Sequence, residues 1–257
     1  MATNQTFLDK LESKWEENKF VCVGLDKGDF EFDRNIIDQT FDLVCAYKPQ
    51  SAFYEAAETA GLEALKKTIQ YIREKDPSIP IILDAKRGDI GSTNEAYVKA
   101  IFDDLAVDAV TVHPYLGKES LEPFLQRTDK GIFILVKTSN PGAGEFQDLQ
   151  IDGKPLYQVV AKHVANEWNK NGNCAVVVGA TYPEELKKVR EIVDNMPILV
   201  PGIGAQGGDL QNTIKNGLNS KKQGLIISSS RAIIFAPDPR KAAQDLHLQI
   251  QEALKRV

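Results

Sequence analysis

The sequence has few of the residues that build disulfide scaffolds and metal centres. Only three of its 257 residues are cysteine and three are histidine, and no pair of them has the spacing of a metal site. Cys22, Cys45 and Cys174 lie within or at the start of apolar runs, where cysteine is typically a small buried hydrophobe. An odd number of such cysteines favours a reduced, cytoplasmic protein over a disulfide-bonded one.

Long apolar runs and a surplus of basic residues are also lacking. No apolar run has the length of a membrane span, and residues 1–5 lack the basic and apolar regions of a signal peptide. The net charge of −5 argues against nucleic acid as the main partner, because phosphate backbones bind basic surfaces. We therefore expect a cytoplasmic protein that binds neither membranes nor nucleic acid.

What the chain does contain is a regular alternation of apolar, β-rich segments with helical patterns. Continuous apolar runs such as residues 175–178 are typical of strands buried on both faces of a parallel sheet. Eight strand–helix units in about 250 residues predict an α/β fold, a single (β/α)8 TIM barrel spanning residues 1–257. A doubly wound sheet is the alternative, but it usually needs fewer strands. The predicted strands are Phe20–Asp26, Leu43–Lys48, Ile79–Lys86, Ala109–Pro114, Gly131–Ser139, Cys174–Ala180, Pro197–Ile203 and Gly224–Ser230.

Two helical segments carry specific expectations. Thr6–Lys19 places four apolar residues on one face, which predicts an N-terminal helix that closes the bottom of the barrel. The segment Ser51–Tyr71 reads as one helix with a single apolar stripe, formed by Phe53, Ala56, Ala57, Ala60, Ala64, Leu65 and Ile69.

The most informative stretch follows the third predicted strand. Asp84 and Lys86 are two residues apart, so a regular strand would direct both side chains to the same face, and Asp89 follows in the next loop. Charged groups at the end of a buried strand are costly unless they are paired. Taken alone, this pattern is equally consistent with an ion pair that plugs the strand end and with a functional site.

Other predicted strands also end in polar residues, and barrel active sites lie at the C-terminal ends of the strands. Asp26 ends the first strand, Lys48 the second, and Thr138 and Ser139 the fifth. Each of these alone is more simply a strand end that meets solvent. Together with the third-strand residues they predict an alternating cluster of acids and lysines in one mouth.

The last two strands are followed by loops suited to an anion. Residues 201–209 are rich in glycine, whose backbone N–H groups can approach a phosphate, and Ser230-Arg231 follows the eighth strand. Residues 202–207 also match the dinucleotide pattern G-x-G-x-x-G, but no acidic residue suited to a ribose ends the next strand. A phosphate loop is the favoured interpretation. Residues 140–148 form a further loop at the same mouth, either a mobile lid or an ordinary surface loop.

These motifs resemble those of the orotidine 5'-phosphate decarboxylase family, and the resemblance covers all eight barrel units. It is carried by Lys48, the segment 84–90 (Asp-Ala-Lys-Arg-Gly-Asp-Ile), Thr138-Ser139, the loop 201–208 and Arg231. The resemblance implies conversion of orotidine 5'-monophosphate to UMP and carbon dioxide without a metal or cofactor. It also implies a homodimer in which Asp89 and Thr93 complete the partner's site.

The resemblance assigns roles as well. Lys48, Asp84, Lys86 and Asp89 would form a charged catalytic tetrad in which Lys86 protonates the ring carbon. Asp26 and Thr93 would hold ribose hydroxyls, and Thr138 or Ser139 the pyrimidine. Gln206 and Arg231 would bind the phosphate. The predicted substrate-binding residues also include Pro201, Gly207 and Ser230.

Two other functions compete with this one. Keto-gulonate-phosphate decarboxylases and hexulose-phosphate aldolases resemble the third-strand motif, but they use Mg²⁺ and carry a glutamate where this chain has Lys48. A lysine there would repel a metal ion. A non-catalytic binding protein for nucleotide phosphates would need the phosphate loops but not the charged tetrad.

Overall fold

Eight parallel strands surround the apolar core of the molecule. In the computed structural model, which describes residues 5–204 and 208–257, they are β1 (Val21–Leu25), β2 (Val44–Pro49), β3 (Ile82–Arg87), β4 (Ala109–Val112), β5 (Gly131–Lys137), β6 (Cys174–Val178), β7 (Ile198–Pro201) and β8 (Leu225–Ser229). They pair in the order β2-β1-β8-β7-β6-β5-β4-β3. Isolated bridges from Tyr47 to Ile81 and from Gln50 to Asp84 join β2 to β3 and close the sheet.

The predicted (β/α)8 barrel is therefore confirmed. The closed sheet excludes the doubly wound alternative, and with it the dinucleotide fold that the glycine pattern of residues 202–207 could have indicated. We call the junction between β2 and β3 the seam, because only isolated bridges join these two strands.

Helices cover the outside of the barrel. They are α1 (Phe7–Glu16), α2 (Phe30–Thr40), α3 (Ser51–Glu55), α4 (Glu58–Lys75), α5 (Gly91–Val98), α6 (Gly117–Leu125), α7 (Gly144–Gln147), α8 (Leu156–His163), α9 (Pro183–Val193), α10 (Leu210–Gly217), α11 (Arg231–Ile234) and α12 (Pro239–Leu254). Two π-helical turns, Lys99–Asp104 and Val164–Trp168, continue α5 and α8, a 3₁₀ turn (Pro141–Ala143) precedes α7, and Gln150–Ile151 pairs with Lys154–Pro155. No helix of the described part is long and apolar enough to cross a membrane.

Helix α1 lies across the N-terminal end of the barrel, as predicted. A capping box between Thr6 and Asp9 starts it and satisfies backbone N–H groups of the first turn. The ring of Phe7 occupies the space where a side chain at Gly131 would lie, and the Trp15 indole donates to the Leu225 carbonyl at 2.8 Å. Since Gly131 and Leu225 begin β5 and β8, α1 closes the bottom of the barrel.

The prediction of a single helix over residues 51–71 is wrong. The chain forms α3 and α4 instead, separated by residues 56–57, and α4 begins at Glu58 with a left-handed φ of 52°. The two helices touch closely, because a Cβ on Gly61 would lie 1.9 Å from the Tyr54 carbonyl oxygen. As a result Tyr54 and Gly61 are buried, whereas the first four members of the predicted apolar stripe, at positions 53, 56, 57 and 60, are exposed.

Strand β3 is irregular where the charged motif begins. Leu83 pairs with Val110 and Arg87 with Val112, so three residues of β3 face the single residue Thr111 of β4. Within this bulge Lys86 has a left-handed φ of 48°.

The three cysteines are free and buried, as expected, and burial raises the pKa of the Cys22 thiol to about 12, so the thiol stays neutral.

Candidate active site

A chain of ion pairs lies at the C-terminal end of β2 and β3. Lys48 Nζ is 2.9 Å from Asp84 Oδ2, and Lys86 Nζ is 2.7 Å from Asp84 Oδ1. Asp84 and Lys48 are buried, with 10% and 7% of their side chains exposed, whereas the Lys86 side chain is 48% exposed. Each carboxylate oxygen of Asp84 therefore meets its own ammonium group, and only one of the two lysines is open to the mouth.

The charges of Lys48, Asp84 and Lys86 stabilise one another. Burial alone would raise the pKa of Asp84, but the ammonium groups of Lys48 and Lys86 outweigh burial and hold that pKa well below its usual range. Burial likewise favours the neutral form of Lys48, but Asp84 and Asp26 keep the Lys48 pKa above its usual value. Asp84 is thus a carboxylate, and Lys48 an ammonium, at neutral pH.

The ion pairs line a cavity of about 410 Å³ inside the barrel mouth. Six residues singled out from the sequence lie on its wall: Lys48, Asp84, Lys86, Thr138, Ser139 and Pro201. Leu135, Val177 and Leu199 form an apolar part of the same wall. The cavity therefore has a charged side, contributed by β2 and β3, and an apolar side that reaches the sixth and seventh strands.

Asp89, the fourth member of the predicted tetrad, stands apart from the other three. Its carboxylate accepts a hydrogen bond from the Ile90 backbone at 2.7 Å, and no ion pair joins it to any described residue. Its backbone is fixed by Asn94, whose side-chain amide bonds both the N–H and the carbonyl of Asp89. Thr93 lies half-buried in the first turn of α5. Both predicted residues are on the rim of the mouth.

The residues predicted to bind ribose and phosphate lie at the ends of β1, β7 and β8. Asp26 follows β1, and its Oδ1 is buried without a hydrogen-bond partner in the described structure. A Cβ on Gly24 would be 1.9 Å from Ser230 Oγ and 3.4 Å from Asp26 Oδ1, so the absence of a side chain there allows both groups to approach. Arg231 is exposed at the start of α11. Gln206 and Gly207 lie outside the described residues.

The segment after β5 is held by two sets of contacts. Thr138 donates its backbone N–H to Gln147 Oε1 at 2.9 Å, and its hydroxyl accepts from Gln147 Nε2 and donates to Asn140 Oδ1. The fully buried Lys137 pairs with Asp148 at 2.6 Å and lies over the Tyr182 ring. These contacts tie the predicted loop 140–148 to the barrel. Whether that loop acts as a lid stays a prediction.

Sequence reasoning missed Thr111, Lys137 and Gln147. Thr111 is buried in β4 and donates to Asp84 Oδ1 at 2.9 Å. Its only signal in the sequence is a hydroxyl within an otherwise apolar strand, which many buried threonines share. Nothing in the sequence singles out Lys137 or Gln147, because their partners are fixed only in the folded loop.

A second cavity, of about 570 Å³, lies beside the first and shares Leu135 and Gln147 with it. Aromatic and aliphatic side chains form most of its lining, including Tyr115, Phe146 and Tyr157. The cavity contains none of the charged residues predicted from the sequence. The predicted charged residues therefore line the smaller cavity and not this one.

A closed (β/α)8 barrel with paired charges at the C-terminal ends of its strands has the architecture of a barrel enzyme. The model of the "Orotidine 5'-phosphate decarboxylase / HUMPS family" matches residues 19–246. The chain is 46% identical to the orotidine 5'-phosphate decarboxylase of Cupriavidus metallidurans over 269 residues, covering 98% of each protein.

Solved structures agree with this match. The OMP decarboxylase of Leishmania donovani superposes with a TM-score of 0.91 at 38% identity and covers 97% of this chain and 99% of its own. The UMP synthase of the same organism superposes with a TM-score of 0.94 at 39% identity, and there this chain spans only 57% of the longer protein. The chain belongs to the orotidine 5'-phosphate decarboxylase / HUMPS family.

Proposed function

We propose that this chain is a carboxy-lyase of pyrimidine biosynthesis that converts orotidine 5'-monophosphate to UMP and carbon dioxide without a metal or cofactor. The observation that carries this proposal is the buried, ionised Asp84 between Lys48 and Lys86 on the wall of a nucleotide-sized mouth cavity. The three buried free cysteines support a reducing, cytoplasmic compartment for this activity.

The proposed reaction requires a cation and a proton at one carbon atom. The bond between the ring carbon C6 and the carboxylate breaks, carbon dioxide leaves, and the electron pair of that bond stays on C6. The Lys86 ammonium stabilises this charge and then donates a proton to C6, which gives UMP. The resulting neutral amine regains its proton from water, which reaches Lys86 because half of its side chain is exposed.

Asp84 and Lys48 would prepare the site for this step. The Asp84 carboxylate lies beside the place of the substrate carboxylate, and their repulsion is relieved when carbon dioxide leaves. Lys48 keeps Asp84 ionised and in position, as the lowered pKa of Asp84 indicates. Binding energy from the distant phosphate can then offset the cost of holding two carboxylates together.

The arrangement argues against the Mg²⁺-dependent members of the family. Magnesium is held by carboxylate oxygens, and both oxygens of Asp84 already face an ammonium group. Among the described residues no group of three or more histidine, cysteine or acidic side chains could hold a metal ion. Lys48 adds a fixed positive charge where a cation would bind.

The substrate contacts are proposals supported by position. The orphaned Oδ1 of Asp26 is suited to accept a hydrogen bond from a ribose hydroxyl. For the pyrimidine, Ser139 is favoured over Thr138, because the Thr138 hydroxyl is already bonded on two sides. For the phosphate we propose Pro201, Ser230 and Arg231 at the ends of β7 and β8, whereas Gln206 and Gly207, which lie outside the described residues, are proposed from the sequence alone.

We also propose that the working form is a homodimer in which Asp89 and Thr93 of one chain complete the site of the other. Support comes from the carboxylate of Asp89, which has no cation within the described chain. Exposed apolar side chains near these residues form a surface that a second copy could bury. Among them, Ile90 is 58% exposed and Tyr115 is 88% exposed.

A hybrid dimer tests the shared site. Lys86→Ala and Asp89→Asn chains with different tags are co-expressed, and dimers containing one of each are purified. One of the two sites then combines an intact Lys86 with an intact Asp89, so about half of wild-type activity should return although each variant alone is inactive. An inactive hybrid would show that Asp89 serves its own chain.

The activity itself is tested by the ultraviolet absorbance of orotidine 5'-monophosphate mixed with pure protein and EDTA. Loss of the orotate chromophore and formation of UMP are the expected result. Turnover that appears only after Mg²⁺ is added would support the sugar-phosphate rivals instead. Nucleotide binding without turnover would support the non-catalytic binding protein.

A further inference from the structure

The charged motif of β3 begins in a part of the strand that ordinary pairing cannot stabilise. In a regular parallel ladder alternate β3 residues would bond to β4, but three consecutive residues, 84–86, face only Thr111 on that strand. The backbone N–H groups of Ala85 and Lys86 therefore lose regular carbonyl partners, and an unpaired N–H within a barrel is costly. Lys86 also adopts a left-handed φ that non-glycine residues avoid.

The side chain of Thr111 replaces the missing partners. Its hydroxyl oxygen accepts from the Ala85 N–H at 3.0 Å and from the Lys86 N–H at 2.9 Å, while its proton is donated to Asp84 Oδ1 at 2.9 Å. Asp84 Oδ1 is the same oxygen that pairs with Lys86. One buried hydroxyl thus contacts the backbone of the lysine and the carboxylate that orients the lysine ammonium.

From this geometry we infer that Thr111 is a positioning residue that sets the direction of the Lys86 side chain. The inference rests on the proposed decarboxylase function, in which Lys86 donates the proton. Thr111 also lines the cavity, but in the proposed reaction the proton comes from Lys86. It holds the bulge in the one conformation that places Lys86 Nζ over the cavity, and it keeps Asp84 from rotating away.

Threonine is suited to this role for two reasons. Its branched Cβ restricts the side chain to few rotamers, so the hydroxyl is held in place before the bulge forms around it. Its hydroxyl can also accept two hydrogen bonds and donate a third, which is the full set used here. Valine has the same shape but offers neither donor nor acceptor.

The test compares Thr111→Val and Thr111→Ser with wild type. Thr111→Val should lower kcat about 10- to 100-fold, because a small misplacement of a reacting group has effects of this size. KM and the Kd for UMP should stay within about threefold, since the proposed ribose and phosphate contacts come from other strands. Thr111→Ser, which keeps the hydroxyl, should recover most of kcat.

Thr40→Val is the matched control. Thr40 is equally buried, donates to the Ile36 carbonyl at 2.7 Å and bonds the Tyr47 hydroxyl, and none of these three residues lines the charged cavity. It should lose a comparable amount of thermal stability and keep its kcat. If Thr111→Val does not fold, Thr111→Ala, which leaves room for a water molecule, is measured in the same way.

Three outcomes separate the possibilities. An inactive wild type overturns the proposed function. An active wild type with unchanged kcat in Thr111→Val overturns the positioning role. A Thr111→Val variant that loses kcat, UMP affinity and stability together, with no recovery in Thr111→Ser, also overturns it, because the residue would then be merely structural.

Discussion

The two ends of the barrel carry the same motif, a buried aspartate between two cations, yet at the mouth one of these cations is half exposed beside a cavity. At the mouth, Asp84 lies between Lys48 and Lys86. At the bottom, Asp108 is paired with Lys10 Nζ at 2.9 Å and with the Arg73 guanidinium at 2.5 Å. Burial and ion-pair distances are similar at the two sites.

The difference lies in what else the charged groups touch. Asp108 also accepts the Ile81 backbone N–H at 2.8 Å, and Arg73 donates to the Ile79 carbonyl at 3.1 Å. The bottom cluster thus ties α1 and α4 to the start of β3 and β4 and leaves little hydrogen-bonding capacity unused. At the mouth, Lys86 contacts Asp84 alone and is half exposed beside the cavity.

Ion pairing by itself therefore says little about function. A cation buried at the closed end of the barrel, such as Lys10, supports the fold, whereas a cation held by a single carboxylate and open to a cavity can transfer a proton. This difference between the two ends can be tested by replacing one lysine at each end.

Lys86→Met should have the largest effect. Loss of the proton donor and of the cation beside the developing charge should lower kcat by at least about 10⁴-fold. The free energy of unfolding should change by no more than about 1 kcal/mol, because the lysine is half exposed. Turnover is followed by the orotate absorbance and stability by urea denaturation. A variant with more than a tenth of wild-type kcat would refute the proposed role of Lys86.

Lys10→Met is the matched change at the bottom, with the opposite expected pattern. Asp108 would keep Arg73 and the Ile81 N–H but lose one of its cations, which should lower the free energy of unfolding by about 2 kcal/mol. We expect kcat to stay within about twofold of wild type, since the barrel separates Lys10 from the cavity. The same two assays apply, and a large loss of kcat without a loss of stability would contradict the comparison.

A third buried acid, Asp33, extends the comparison, because no cation of the described residues pairs with it. Its Oδ2 accepts from the Tyr54 hydroxyl at 2.6 Å and the Thr68 hydroxyl at 3.0 Å, and burial raises its pKa to about 6. The unfolded chain releases this proton near pH 4, so between about pH 4 and pH 6 only the folded state holds it. This group's contribution to stability therefore falls as pH rises through that window.

Asp33→Asn removes this titration. The stability of the variant relative to wild type should rise with pH by up to about 1.4 kcal/mol per pH unit between about pH 4 and pH 6. Urea denaturation at several pH values measures the difference. Parallel stability curves for the two proteins would contradict the raised pKa of Asp33.

The features that could be predicted from the sequence are those that depend on the order of residues within one short segment. Continuous apolar runs identified all eight barrel strands, and the spacing of Asp84 and Lys86 correctly placed them together at a strand end. The reason was only partly right, however. Their contact passes through a bulge with a left-handed Lys86, not through regular strand alternation.

What the sequence could not predict depends on contacts between distant segments. The break at Glu58 arises where α3 and α4 meet, and periodicity within 51–71 contains no trace of it. The contacts of Thr111 depend on a register shift in the neighbouring strand β3. Asp108 pairs with Lys10 and Arg73, which lie on two different helices. The Thr138–Gln147 contact likewise exists only once the loop after β5 has folded.

The seam gives the active site a consequence for folding kinetics. Lys48 is on β2 and Asp84 on β3, so the ion pair proposed for catalysis crosses the junction where backbone pairing is limited to isolated bridges. The charged centre can therefore assemble only once the barrel has closed at the seam. During refolding, far-ultraviolet circular dichroism would report helices as they form, whereas turnover would return only after the two ends of the sheet have met and the proposed homodimer has assembled. Refolding at several protein concentrations separates these two steps, because only dimer assembly depends on concentration.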